Sequence, residues 1–543
     1  SQEAINGRKN TLLYLAANYN FGAHGAEHQR TITLYALGRI FEQSITDLEY
    51  MEAEADDKET LATVNRRKRD GVYYTPEWVT DYIVKETVGA RLSDIRAGIG
   101  LELGAELPEA EVKDYRNFLH SRRRKKRPDN AATRTIDRLE RYEAALSEVK
   151  VLDPACGSGA FLIQALQYLL KERRTIAEER ERITGEKSVF DTDENMRSIL
   201  SRNLFGVDIN PESVEITQLA LWLNTALPGK PLSNLDTHIR CGNSLVGPDF
   251  KTFYKKKHET LFDDLDEQRR EDVNVFDWAA AFPEVFGPDV PAEERGFDCV
   301  IGNPPYVKLQ NFRKVEPDES DYYIEAKGPD GSPLYESAQT GNFDLYLPFI
   351  EKGVSLLNRR GRMGYIAPSL WLKNEYGLGL RQKAMREQSL DRWIDFKSFQ
   401  VFEEATTYTA LQFFTGYPND KVRFFLAPDG DIAPVDWTED VEAVAYDKLP
   451  EEEAWNLVPK IESELLLRIS TTCKSLGNES CTKQIFQGLI TSADYIYHLH
   501  RIEPGRYCPK GNDDEEYEIE DEIMHPLVSG PEAKQYHRHK TKK

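Results

Sequence analysis

Between Thr31 and Tyr50, apolar residues fall at Leu34, Leu37, Ile40, Phe41, Ile45 and Leu48, the spacing of a single helix face. Residues 1–70 are therefore predicted to be a helical region, with the acidic stretch Glu52 to Glu59 as an exposed end or linker. Residues 90–148 are densely charged and also read as mainly helical. At Val151 the texture changes. Short β-branched runs appear at Lys150 to Asp153, Leu204 to Ile209, Cys299 to Ile301, Gly364 to Ala367, Trp393 to Phe396, Leu411 to Thr415 and Val422 to Phe425. Helices are expected from Gly159 and from Pro211, directly after the first two runs. This alternation predicts an α/β fold with a mostly parallel, seven-stranded sheet covered by helices. The last two runs are close enough in sequence to make an antiparallel hairpin at an edge. Helical spacing resumes through Leu465, Leu466 and Leu467, and Ile485 to Ile490 opens what reads as a separate small domain.

Composition narrows the class. A chain of 543 residues with 40% hydrophobic content is too long for one compact unit. The longest apolar runs, such as Ala410 to Gly416, fall far short of a membrane span, and Ser1 to Asn10 has no signal-peptide core. A soluble cytoplasmic protein with no membrane partner is expected. Cys156, Cys241, Cys299, Cys473, Cys481 and Cys508 form no CxxC pair and have no histidines at zinc spacing, so no metal site is expected. The formal net charge of −22 opposes a nucleic-acid partner at long range. Phosphate contacts are made locally, however, and three basic runs could make them: Arg66 to Arg69, Arg122 to Arg127 and His537 to Lys543. Each reads equally well as a solvated face.

The run from Val151 to Phe161 carries the clearest ligand signal. A strand ends at Asp153, a turn through Pro154, Ala155, Cys156, Gly157 and Ser158 follows, and a helix starts near Gly159. Glycines permit close backbone approach and positive φ, and a helix N-terminus offers unpaired N–H groups. The pattern is neither GxGxxG nor a phosphate loop ending in GK[ST], which disfavours NAD and ATP. A second strand ends at Asp208-Ile209-Asn210, where a carboxylate can accept two ribose hydroxyls. The helical insertion Lys171 to Asn203 accounts for the long interval between the two acids. In Cys241 to Leu245, Asn243 could read an adenine amino group, with Ser244 beside it.

The reaction class follows from Phe297 to Tyr306. An apolar strand delivers Asn303-Pro304-Pro305-Tyr306 to the same edge, and the two prolines stiffen the turn. The Asn303 side-chain carbonyl and the Pro304 backbone carbonyl can accept hydrogen bonds from one –NH2 group, aiming its lone pair at an electrophile. Tyr306 offers a face to a planar base. The chemistry is positioning and polarisation, without a covalent intermediate.

These motifs resemble those of the amino-methyltransferases of DNA modification, over roughly residues 70–430. Asp153 to Gly159 resembles the family's cofactor loop and Asn303 to Tyr306 its catalytic tetrapeptide; their form and order resemble the γ-class adenine enzymes. Gly71 to Pro76 resembles the motif that contacts the methionine end of the cofactor. The resemblance implies a Rossmann-like S-adenosylmethionine-dependent core and cofactor contacts from Tyr74, Thr75, Pro76, Asp153, Ala155, Cys156, Gly157, Ser158, Gly159, Asp208, Ile209, Asn243 and Ser244. It implies catalysis by Asn303, Pro304, Pro305 and Tyr306, and substrate contacts from Tyr306, Lys308 and Phe402, the last in a late motif at Val401 to Thr407. The chain looks most like large members such as type IIG restriction-modification proteins and the methyltransferases of BREX and DISARM phage defence. Gly488 to Asp494 and Pro526 to Gly530 resemble the opening of a target-recognition domain.

The layout this implies is a helical region at 1–70, a methyltransferase domain at 71–440 with the charged insertion 90–148, and a helical linker with part of a recognition domain at 441–543. The implied activity is N6-methylation of adenine in double-stranded DNA by base flipping, with other defence-system subunits as possible partners. The alternatives are a bifunctional endonuclease-methyltransferase, or the same core acting on RNA or protein. Residues 1–70 hold no convincing PD-(D/E)xK arrangement, so a modification enzyme is expected.

Overall fold

A computed structural model describes residues 75–121, 126–187, 190–225, 234–258, 273–402, 407–433, 435–437, 441–473, 499–509 and 517–519. The expected helical region 1–70, Tyr74, the basic runs Arg66 to Arg69 and His537 to Lys543, and the segments Gly488 to Asp494 and Pro526 to Gly530 lie outside the described residues, as do positions 122–125 of the basic run Arg122 to Arg127. From that run, Arg127 is paired with Asp137 at 2.6 Å on the surface. The chain divides into two units, Ser1–Leu457 and Val458–Lys543. Among its described residues the second contains a helix, Lys460–Thr472, and a small antiparallel sheet of Leu499–Glu503, Arg506–Pro509 and Tyr517–Glu518.

The first unit is organised by one sheet. Its strands in chain order are β1 (Val151–Asp153), β2 (Leu204–Asp208), β3 (Ile239–Cys241), β4 (Phe297–Gly302), β5 (Leu357–Pro368), β6 (Leu390–Asp395), β7 (Thr409–Thr415), β8 (Lys421–Leu426) and β9 (Glu442–Ala445). Their lateral order is β3-β2-β1-β4-β5-β7-β6-β8-β9. Strands β1 to β5 are mutually parallel, so the carboxyl ends of β1, β2, β3 and β4 meet at one edge. Crevices at that edge are where open α/β sheets hold their ligands.

Two sequence expectations need correction. The sheet has nine strands, not seven. Strand β3 is only three residues long with Arg240 at its centre, and β9 is four residues, none fully buried, so neither makes a visible apolar run. The expected β7–β8 hairpin is also absent. Strand β7 lies inside the sheet, antiparallel to both β5 and β6, while β8 pairs parallel to β6 on its other side. The linker between β7 and β8 passes the start of β6, held by Asn419, which donates to the Gln388 carbonyl at 3.0 Å and to Thr415 Oγ1 at 2.7 Å. Every residue of β7 is buried, the unalternating pattern of a strand covered on both faces, whereas an edge hairpin alternates.

The charged insertion is a helical layer. Helix α1 (Glu77–Val84) runs through a π-helical turn, Lys85–Gly89, into α2 (Ala90–Ile99), followed by α3 (Glu109–Leu119) and α4 (Ala131–Glu148). Asn130 caps α4, its Oδ1 accepting the Thr133 N–H at 3.0 Å. Ile136, Leu139, Tyr142 and Leu146 form the buried stripe of α4. The long helix α5 (Ala160–Thr184) offers Glu172 to this layer, where it accepts the Tyr142 hydroxyl at 2.7 Å and pairs with Arg96. Charge in this stretch therefore serves the seams between helices as well as solvent. At the other end of the sheet, buried Trp371, Trp393 and Trp455 pack at 5.8–6.3 Å. No helix among the described residues is long and apolar enough to cross a membrane.

Candidate active site

Three loops meet at the carboxyl ends of β1, β2 and β3. The β1 loop turns at Gly157 (φ +52°) and Gly159 (φ +84°), conformations that carry a steric penalty for any residue with a Cβ. At Gly159 a Cβ would also stand 2.9 Å from Thr217 on the helix Pro211–Thr225. Thr217 in turn donates its hydroxyl to the Gly157 carbonyl at 2.7 Å. Asp208 closes the turn from the β2 side: its Oδ2 accepts the Gly157 N–H at 2.9 Å and its Oδ1 the Asn210 N–H at 2.9 Å. Each oxygen keeps further acceptor capacity, the property that two ribose hydroxyls require. Ile209 beside it is 55% exposed, an apolar side chain displayed at the edge.

Asp153 is buried at the tip of β1, with Oδ1 accepting the Ala155 N–H at 3.1 Å. Burial, reinforced by the charge of Asp208 and opposed by that N–H, pushes its carboxyl up to about 8. Burial raises Asp208 as well, against the two backbone donors. Cys156 is buried inside the turn, and burial, with the charges of Asp208 and Asp153, pushes its thiol well up, away from the reactive thiolate. The β3 loop locks onto the same turn: Ser244 donates to the Pro154 carbonyl at 2.6 Å. Asn243 is buried, its Oδ1 accepting the Leu245 N–H at 3.0 Å and its Nδ2 donating to Glu319 at 2.8 Å.

The fourth loop joins from β4. A Cβ on Gly302 would stand 2.9 Å from Asp153 Oδ1, so only glycine lets the two strand tips sit this close. Asn303 follows directly, and its Nδ2 donates to Thr75 Oγ1 at 3.1 Å. That bond turns the Asn303 carbonyl away from Thr75. It also joins two motifs 228 residues apart. Pro76 is the N-cap of α1. Pro304 is buried and Pro305 half-buried. The Tyr306 hydroxyl donates to the Ile366 carbonyl of β5 at 3.0 Å, and the ring meets Phe402 and Tyr346 edge-on at 6.1 and 6.2 Å.

Lys308 is exposed and pairs in register with Asp344, through bonds from Leu309 N–H to the Phe343 carbonyl at 3.0 Å and from Leu345 N–H to the Val307 carbonyl at 2.8 Å. In such a pair both side chains leave the same face. Burial pushes the Asp344 carboxyl up to about 6, with Lys308 pulling it down.

Direct bonds join the β1 turn to Asp208 and to Ser244, and Asn303 to Thr75, while Gly302 brings the β4 loop against Asp153 and Tyr306 meets Phe402. Sequence reading did not anticipate Thr217 or Glu319. Each lies on a helix with no motif of its own, and only the folded packing selects it from its neighbours.

Residues 202–402 match the family of the Eco57I restriction-modification methylase. Over these residues the chain is similar to restriction-modification methylases. It is 29% identical to the type II restriction enzyme and methyltransferase RM.Eco57I of Escherichia coli, over 69% of this chain and 36% of that protein. It is 26% identical to the adenine-specific methyltransferase PglX of Streptomyces coelicolor, over 44% of this chain and 18% of that one. The chain thus spans about a third or less of the length of these two curated relatives. Among solved structures, the type IIL restriction-modification enzyme MmeI in complex with DNA aligns over 77% of this chain and 43% of its own, with a TM-score of 0.41 and 14% identity.

Proposed function

We propose that this chain is a site-specific DNA adenine N6-methyltransferase that uses S-adenosylmethionine and serves a restriction-modification or phage-defence system by marking self DNA in the cytoplasm. The observation that carries the reading is the junction at the sheet edge. Gly302 places Asn303 against the Asp153 turn, and Thr75 orients the Asn303 amide.

The residues present fit the cofactor by their donor chemistry. Asp208 has acceptor capacity for two ribose hydroxyls, exposed Ile209 offers an apolar face for an adenine, and half-buried Asp208, with buried Asp153 once a nearby cation draws off its proton, supplies negative potential for a cationic methionine end. The bound cofactor supplies an electrophilic methyl group on a sulfonium. Everything else falls to the protein. The target adenine leaves the duplex, because its amino group is otherwise paired. The Asn303 side-chain carbonyl and the Pro304 carbonyl accept its two N–H bonds, which directs the nitrogen lone pair out of the ring plane. Tyr306, braced by Ile366 and Phe402, gives the base an aromatic wall, and Lys308 lies at the rim for the phosphate backbone. After transfer, the extra proton on the methylated nitrogen leaves to solvent. Within this reading, residues 71–440 form the catalytic domain, and 441–543 the linker and part of a recognition domain.

The test is methyl transfer from tritiated S-adenosylmethionine to bulk phage DNA, followed by nucleoside digestion. Labelled N6-methyladenine supports the reading. Label appearing only in RNA or protein overturns it.

A further inference from the structure

We infer that Glu319 sets the cofactor's base specificity by fixing which end of the Asn243 amide is presented to it. The inference rests on the proposal that Asn243 lies against the cofactor adenine.

An asparagine amide is ambiguous. Its carbonyl accepts and its NH2 donates, and a half-turn about the last side-chain bond exchanges them. An amide that presents its carbonyl selects a ring with an exocyclic amino group. One that presents its NH2 selects a ring with a carbonyl there. In this chain the half-turn is blocked on two sides. The Leu245 N–H can only donate, so the atom 3.0 Å from it is the Asn243 carbonyl oxygen. The Glu319 carboxylate can only accept, so the atom 2.8 Å from it is the Asn243 NH2. The Tyr323 hydroxyl donates to the same Glu319 oxygen at 3.1 Å, which holds the carboxylate in place.

All three side chains are buried, and an exchanged amide would leave mismatched groups away from water. The loop itself cannot rotate to compensate. Asn243 N–H donates to the Asn274 carbonyl at 2.7 Å, Ser244 Oγ to Pro154 at 2.6 Å, Trp278 Nε1 to the Ser244 carbonyl at 3.3 Å, and the Tyr335 hydroxyl to the Leu245 carbonyl at 2.5 Å.

The remaining acceptor capacity of Asn243 is therefore a carbonyl lone pair, beside a loop whose Gly242 N–H is bonded at 2.8 Å to the Asp208 carbonyl. It selects a 6-amino purine. Glu319 is a positioning residue: it lies on the helix Pro317–Glu325, downstream of the Asn303 loop, and acts through Asn243. Cofactor specificity thus draws on a residue outside every recognisable motif.

The test compares two ligands by isothermal titration: S-adenosylhomocysteine and its deaminated analogue S-inosylhomocysteine, whose 6-position is a carbonyl. The ratio of the two affinities does not depend on the fraction of protein that is folded. The unaltered chain is expected to prefer the adenosyl ligand by at least about tenfold, the cost of one mismatched hydrogen bond. Glu319→Leu, which removes the acceptor, should bring the ratio below about threefold. Glu319→Asp, which withdraws it by one methylene and is the milder change should the first variant not fold, should move the ratio the same way. Glu319→Gln still offers a carbonyl to the Asn243 NH2 and should keep the ratio. An unchanged ratio in both Glu319→Leu and Glu319→Asp would overturn the inference, and so would equal binding of the two ligands by the unaltered chain. If the unaltered chain binds neither ligand, the cofactor reading itself fails and takes the inference with it.

Discussion

The two halves of the sheet edge are built by different means. The β1–β3 half holds itself together largely through backbone groups: the N–H groups of Gly157 and Asn210 and the carbonyls of Pro154 and Gly157, met by the Asp208 carboxyl and the hydroxyls of Ser244 and Thr217. The β4–β7 half is gathered from remote segments: Thr75 ahead of the sheet, Asn303 and Tyr306 after β4, Ile366 in β5 and Phe402 before β7. A backbone-built pocket suits a ligand of fixed shape. A side-chain-built pocket can be altered at one position without disturbing the other half, which suits the proposed role of holding an extruded base. The comparison teaches that binding and transfer should be separable by mutation.

The sharpest way to break that comparison is Asn303→Ala. Methyl transfer is expected to fall by about a thousandfold, the scale for removing a group that polarises the reacting atom, while S-adenosylhomocysteine affinity stays within a few fold. Loss of ligand binding in this variant, by calorimetry, would show the halves to be one unit. Asp208→Ala should do the reverse. It removes a charged acceptor, so ligand affinity is expected to drop by about a hundredfold, read by the same titration.

Thr75→Ala tests the joint between the halves. Without its hydroxyl the Asn303 amide loses its 3.1 Å partner, and kcat should fall by about tenfold with KM for the cofactor little changed. Thr75→Ser should restore the rate. Equal rates for both variants would remove the joint from the argument.

The smallest effect concerns protons. The Asp153 carboxyl holds a proton in the fold up to about pH 8, whereas the unfolded chain releases it near the ordinary carboxylate value of 3.8. The sign is that of a raised acid: the folded state binds more protons between those values, so Asp153 opposes folding increasingly as pH rises through that window. A cationic ligand group nearby lowers the pKa again. Cofactor binding at pH 7 is therefore expected to release a fraction of a proton, measured as a dependence of the binding enthalpy on buffer ionisation. Asp153→Asn should abolish that dependence, and its persistence in the variant would remove Asp153 as the source.

The legibility of the sequence divides along the same line. The β1 turn, Asp208 and the Asn303 tetrapeptide were readable because each compresses its geometry into a few adjacent residues: glycines where φ is positive, an acid where a strand ends, prolines where a turn must be stiff. Thr409, Gln412 and Thr415 keep β7 from reading as an unbroken apolar run, and its short link to β8 suggested a hairpin; the intervening β6 is a matter of topology. Strands β3 and β9 were too short to carry a period. Thr217 and Glu319 were unreadable for another reason. A helix presents many polar side chains, and which one meets a loop depends on its rotation against the sheet.

By itself, then, the sequence determined the alternation of strands and helices, the glycine turn after β1 and the stiff tetrapeptide after β4 on which the proposed chemistry rests, because all three depend on residues close along the chain. The tertiary structure decided the nine-strand order, the joining of Thr75 to Asn303 and the pinning of Asn243 by Glu319. Those contacts link residues 76 to 228 positions apart. Over such separations no local periodicity or turn preference selects a partner, and only the shared core brings the two ends together.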